Sequence, residues 1–79
     1  MPSVTMRFSG EVHTFTKVDV LNATRGVAPE EIARYYVELH GRRYPPKQVI
    51  RLVTRTRKRF NSTNARSALT RLGFIIRAQ

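Results

Sequence analysis

The chain has 79 residues, no cysteine and a formal net charge of +10, a size that allows one small domain with a thin core and a composition without disulfides or thiolate metal sites. An apolar fraction of 41% supports a folded chain despite this charge, and no apolar run approaches membrane-spanning length. The opening residues "MPSVTMRFSGEV" lack the basic-then-apolar order of a secretion signal, so a cytoplasmic protein is expected.

The segment "SVTMRF-SG-EVHTFT" predicts a β-hairpin, because β-branched and aromatic residues flank a Ser9-Gly10 turn. A two-residue loop puts Val4, Met6 and Phe8 on the same face as His13 and Phe15; a four-residue loop also fits. Thr16 reads as a helix N-cap, with Asp19 three residues on in the capping-box position. The short helix "KVDVLNATR" then stops at Gly26, a natural C′ residue. Pro29 is expected to open one further helical turn, "PEEIA", with both glutamates near its positive end.

A second hairpin follows in "ARYYVEL-HG-RRYPP". A two-residue turn at His40-Gly41 sets Leu39 opposite Arg42, Glu38 opposite Arg43 and Val37 opposite Tyr44. Alternation groups Tyr35, Val37 and Leu39 on one face, which makes Tyr35 a core candidate, and His40 reads as a turn residue rather than a ligand. Pro45 and Pro46 end the strand and leave Pro46 at the first helical position. The next helix, expected over residues 47–56, gathers Val49, Ile50, Leu52 and Val53 in one arc, with Gln48, Arg51 and Arg55 on the other side. "KRFN" is a linker, and Asn61, Ser62 or Thr63 can cap a last helix. Its buried face is Ala65, Ala68, Leu69 and Leu72, spaced i, i+3, i+4, i+7, and its polar face is Arg66, Ser67, Thr70 and Arg71. Gly73 ends it and "FIIRA" reads as a final strand. The expected fold is a small α+β domain spanning residues 1–79, in the order ββ-α-ββ-α-α-β, with a helix-turn-helix-like C-terminal helix pair.

Charge is unevenly placed. Residues 1–40 hold the four basic groups Arg7, Lys17, Arg25 and Arg34 and all five acids; residues 41–79 hold eleven basic groups and no acid. Such asymmetry points to a polyanionic partner. No catalytic Ser/His/Asp set, paired carboxylates or glycine-rich phosphate loop is present, so neither an enzyme nor a cofactor is expected. His13 and His40 stand far apart and suggest no metal site. Double-stranded DNA is the expected partner. Lys47, Arg51, Arg55, Arg57, Lys58 and Arg59 suit phosphate contacts, which position without specifying. Asn64, Arg66, Ser67, Thr70 and Arg71 are the candidate base readers. Arg42 and Arg43 on the second hairpin complete the surface. Two other readings stay open: an RNA or single-strand binder using Tyr35, Tyr36, Tyr44 or Phe60 for stacking, and a protein-interaction subunit whose acidic partner meets residues 42–59.

The run "YYVELHGRRYPPKQVIRL", followed by "FNSTNARSALTRLGFII", resembles the N-terminal head domain of McrA-type, modification-dependent HNH restriction enzymes of bacteria. There a hairpin "NGRRYP-x-K" leads into a helix, and a later helix ends in "LxxLGF". The matching residues here are Gly41, Arg42, Arg43, Tyr44, Pro45 and Lys47, then Leu69, Leu72, Gly73 and Phe74. The likeness covers residues 35–74 and carries no nuclease motif. It implies a DNA-contacting accessory module, a regulator or part of a DNA-targeting system, that binds without cleaving.

Overall fold

A computed structural model describes residues 2–79. The elements are β1 (Ser3–Phe8), β2 (Glu11–Thr16), α1 (Lys17–Thr24), β3 (Tyr35–Leu39), β4 (Arg42–Tyr44), α2 (Pro46–Thr54), α3 (Ser62–Arg71) and β5 (Ile76–Ala78), the expected α+β order. β1 and β2 form a two-stranded ribbon, and a second sheet has the order β4-β3-β5, with every pair antiparallel.

The turns explain both hairpin registers. Ser9 (φ 49°) and Gly10 (φ 79°) are both left-handed, as a two-residue turn of the right twist requires. The short loop therefore wins over the four-residue alternative, and Val4 pairs with Phe15 and Met6 with His13. His40 (φ 55°) and Gly41 (φ 74°) repeat the device and set Val37 opposite Tyr44 and Glu38 opposite Arg43. The Glu38–Arg43 pair, 3.9 Å apart and open to solvent, contributes at most about 1 kcal/mol.

α1 starts from a reciprocal box: the Thr16 amide donates to the Asp19 carboxylate (2.8 Å) and the Asp19 amide to Thr16 Oγ1 (3.2 Å). It stops at Thr24, one residue earlier than expected. Arg25 (φ −62°, ψ 126°) and Gly26 (φ 76°) make a type II turn closed by the Val27 amide on the Thr24 carbonyl, 3.1 Å.

The helical turn expected at "PEEIA" does not form; residues 27–32 are irregular. Their backbone groups are held elsewhere. The Glu30 amide donates to Gln48 Oε1 (2.8 Å), Gln48 Nε2 donates to the Ala28 carbonyl (3.0 Å), and the Tyr44 hydroxyl donates to the Val27 carbonyl (2.6 Å). A lone helical turn fixes many dihedrals for one bond, so these side-chain bonds prevail. The same contacts correct the placement of Gln48: only 4% exposed, it lies inside and not on the outer face with Arg51.

α2 also ends early, at Thr54, with Arg55 in the left-handed region (φ 56°, ψ 22°) as its C-cap. A longer helix would stack Arg51, Arg55 and Arg59 on one face at i, i+4 spacing, where like charges repel. The threonines supply an alternative path. The Thr56 amide donates to Thr54 Oγ1 (3.4 Å) and the Lys58 amide to Thr56 Oγ1 (3.0 Å). α3 is capped by Asn61, whose Oδ1 accepts from the Asn64 amide, 2.7 Å. It closes in a Schellman motif: the Phe74 amide reaches the Leu69 carbonyl (3.1 Å) and the Gly73 amide the Thr70 carbonyl (3.0 Å), with Gly73 at φ 97°.

One core collects Val4, Met6 and Phe15 of the first hairpin, Val20 of α1, and Val37, Leu39 and Tyr44 of the second hairpin, with Val49 and Ile50 of α2. Ala65, Ala68, Leu69, Leu72, Phe60 and Phe74 complete it. Tyr35 is not among them. It is half-buried, and guanidinium groups of Arg34 (5.3 Å) and Arg66 (4.1 Å) approach its ring. Tyr36, on the opposite face of β3, is the more covered tyrosine, with Arg43 4.6 Å from its ring centroid.

Gln48→Ala should cost roughly 2–3 kcal/mol, because it strips partners from two backbone groups of the 27–32 segment. Urea unfolding gives the loss, and hydrogen exchange at the Glu30 amide should quicken. An unchanged midpoint would mean that the segment is held without Gln48.

Candidate nucleic-acid interface

Lys47 stands on the first turn of α2, Arg51 one turn on, and Arg57, Lys58 and Arg59 in the segment linking α2 to α3. The fold brings all five around one open depression of about 320 Å³, together with Phe60. Phe60 explains why the basic residues face outward. Its ring is 9% exposed, packs 5.1 Å from Phe8, and has the Lys47 ammonium 5.5 Å from its centroid. Driving this aromatic inward leaves its three cationic neighbours on the surface.

The basic segment is tied to the first hairpin at two further points. The Thr56 hydroxyl donates to the Glu11 carboxylate (2.7 Å), and the Ser9 hydroxyl donates to the Arg59 carbonyl (3.0 Å). Glu11 also meets His13 Nε2 at 2.8 Å, and the His13 ring stacks on Phe8, 5.4 Å between centroids. The Thr56 hydrogen bond, then that of His13, holds the Glu11 carboxyl below its ordinary value of 4.5, with the charges of His13 and Lys58 assisting and desolvation opposing.

The cations differ in what they already touch. Arg51 makes a two-pronged pair with Glu30, so part of its charge is matched within the protein. Among the described residues, Lys47, Arg57, Lys58 and Arg59 have no carboxylate within 4 Å. Lys47 also borders a second depression of about 280 Å³, shared with Arg34, Tyr35, Pro46 and Arg66 and with the acidic Glu31. Cations therefore continue from the segment 57–59 through Lys47 to Arg66 and Arg34, with Glu31 set among them at that end.

Other expected contact residues lie elsewhere. Arg55, the left-handed cap of α2, borders a depression with Asp19 and Asn22 of α1. Arg42 and Arg43 sit on β4, with Arg43 engaged by Glu38 and Tyr36. Asn64, Ser67 and Arg71 line a groove against β1, and Thr70 is exposed on α3. Three participants escape a reading of the sequence: Arg34, Arg7 and Glu11. Strand alternation could have marked Arg7 as outward-facing, but nothing local reveals that β1 lies beside α3 or that Glu11 reaches Thr56.

The aromatic rings offer little free platform. Tyr44 is 1% exposed with its hydroxyl bonded inside, and the rings of Tyr35, Tyr36 and Phe60 each have a cation against them. Among the described residues no three His, Cys, Asp or Glu side chains converge in a way that could hold a metal ion, and no helix is long and apolar enough to cross a membrane.

The chain belongs to the SCO5918-like family, whose model matches residues 1–79. No curated protein and no solved structure matches it.

The Glu11 tie carries a pH signature. Its folded pKa is lowered, so its contribution to stability is present above about pH 4.5 and is lost as pH falls through the folded value. Glu11→Gln should therefore destabilise the protein at neutral pH and converge with the original chain in acid. Thermal melting across that range checks this; a difference independent of pH would mean that the carboxylate charge does not hold the segment.

Proposed function

We propose that this is a small cytoplasmic DNA-binding protein, a regulator or the DNA-contacting module of a larger targeting system, which grips duplex DNA chiefly through its phosphates. The observation that carries this reading is the grouping of Lys47, Arg57, Lys58 and Arg59 on one concave surface, none with a carboxylate within 4 Å among the described residues, beside a segment anchored by Phe60, Thr56 and Ser9. Cations held in place lose less freedom on binding than the same cations on a mobile tail. Each phosphate contact releases counterions from the duplex, so such a surface binds polyanions without needing a deep pocket.

Two features favour a duplex over a single strand. Single-strand binders present bare aromatic faces to the bases, whereas the rings along this surface carry cations or are buried. In addition, α2 and α3 pack as consecutive helices, and α3 keeps Asn64, Ser67, Thr70 and Arg71 exposed for a second contact. Arg66 joins the phosphate-binding band with its guanidinium over Tyr35. We take DNA as the polyanion on the expected resemblance of residues 35–74 to the McrA-type head domain.

A fluorescent duplex and a single strand of equal charge, titrated over a salt series, test this. With four unmatched cations engaged, log K for the duplex should fall against log salt with a slope of about −3.5. Changing Lys58 and Arg59 together to Gln should shallow that slope by roughly 2 and leave the melting temperature nearly unchanged. Tighter binding to the single strand would move the protein to the RNA or single-strand class. No binding to either would turn the basic face toward an acidic protein partner.

A further inference from the structure

We propose that the groove between β1 and α3 is a second phosphate site, built by the first hairpin as much as by the helix. The inference rests on the nucleic-acid reading and adds a partner strand to it. The groove, about 140 Å³, is lined by Thr5 and Arg7 of β1 and by Asn64, Ser67 and Arg71 of α3, with Met6 and Ala68 at its base.

The sequence produces it in three steps. Asn64, Ser67 and Arg71, at i, i+3 and i+7, share one face of α3. Ala68, 2% exposed on the same side, is small enough for a strand to approach. The strand that approaches is β1, which pairs with β2 along one edge only.

The pairing also decides what that free edge offers. The two-residue loop makes Phe8 and Glu11 the first hydrogen-bonded pair, and bonded and non-bonded pairs then alternate. Met6 and Val4 therefore bond to β2, while the amides of Thr5 and Arg7 point away from it, toward the α3 side. Two guanidinium groups, an amide, a hydroxyl and two outward backbone N–H groups thus border one groove with no carboxylate among its lining residues.

None of the Arg7, Asn64, Ser67 or Arg71 side chains has a hydrogen-bond or ion-pair partner among the described residues. Thr5 alone is engaged, through its hydroxyl to Thr14 at 2.9 Å. A lining of donors around two permanent positive charges selects an oxyanion, and guanidinium forks fit phosphate oxygens two at a time. Asn64, Ser67 and Arg71 thereby turn from base readers into half of a phosphate clamp whose other half is Arg7. A strand backbone could then be held at two places, in this groove and at the band around Lys47.

The test has two arms. In the first, the protein is titrated with inorganic phosphate, against chloride at matched ionic strength, while the backbone amides are followed by NMR. Phosphate should move Thr5, Arg7, Ser67 and Arg71 more than chloride does, and Arg7→Gln should abolish the difference. In the second arm, Arg7→Gln should shallow the duplex salt slope by about 0.9, one phosphate contact, with melting temperature unchanged. If the original chain binds duplex, yet Arg7→Gln keeps the full slope and the groove ignores phosphate, the site is wrong and the nucleic-acid reading stands. If the groove answers phosphate but no nucleic acid binds, the site stands as a small-anion site and the reading falls. If the groove ignores phosphate and no nucleic acid binds, both fall.

Discussion

The hydrogen bond between Thr56 and Glu11 joins two parts of the chain with little reason to stay together. Arg57, Lys58 and Arg59 follow one another, with Arg55 just before them and Lys47 and Arg51 close in space. Left to their mutual repulsion these charges would spread, and the segment would wander. Glu11 answers from the first hairpin, distant in sequence but adjacent in space: it accepts from Thr56, is braced by His13, and supplies negative charge near Lys58. Ser9 holds the Arg59 carbonyl and Phe60 fills the space beside Phe8. The first hairpin is therefore a clamp for the basic segment as well as a wall of the core, and the cationic surface owes its shape to it.

A second polar seam does the same for α2. Tyr44 and Gln48 reach the carbonyls of Thr24, Val27 and Ala28 and the amide of Glu30, while His40 Nε2 lies 2.9 Å from the Leu21 carbonyl and 3.1 Å from Thr24 Oγ1. The connection from α1 to β3 has no regular structure of its own, yet its Val27 and Ala28 carbonyls and its Glu30 amide are met by Tyr44 of the second hairpin and Gln48 of α2. Lys47 and Arg51, neighbours of Gln48 on α2, are carried on a helix docked by that seam. In a domain with so thin a core, these side-chain bonds do positioning that apolar packing alone cannot.

Much of the fold was legible because its rules are local. A two-residue turn sets strand register without reference to the rest of the chain, so the second hairpin could be read from His40-Gly41, while Ser9-Gly10 left the first between a two- and a four-residue loop. The capping box at Thr16 and the apolar stripe from Ala65 to Leu72 are equally self-contained. Two of the failures share a cause, tertiary contacts overriding local preference. "PEEIA" has a good helix start but its backbone is claimed by Gln48. Gln48 itself looks like a surface residue until the groups that need it are known. α2 stops at Thr54 because the charges beyond it repel and because threonine hydroxyls offer another route. The candidate surface divides along the same line: its charges are plain in the sequence, but their grouping is not. Lys47 and Arg59 meet only through the fold, Arg42 and Arg43 stand apart, and Arg7 and Arg34 join surfaces that linear order gives no reason to connect.

The central claim is that a small, clamped subset of the cations does the binding, and not the net charge as a whole. An amide-resolved NMR titration of the protein with a short duplex at near-physiological salt tests it most directly. The account predicts shifts concentrated at Lys47, Arg57, Lys58 and Arg59, at the Glu11–Thr56 tie and along the β1–α3 groove at Arg7, Ser67 and Arg71, with Arg42, Arg43 and Arg77 little affected. Shifts spread evenly over every cation, or centred on the second hairpin, would contradict it.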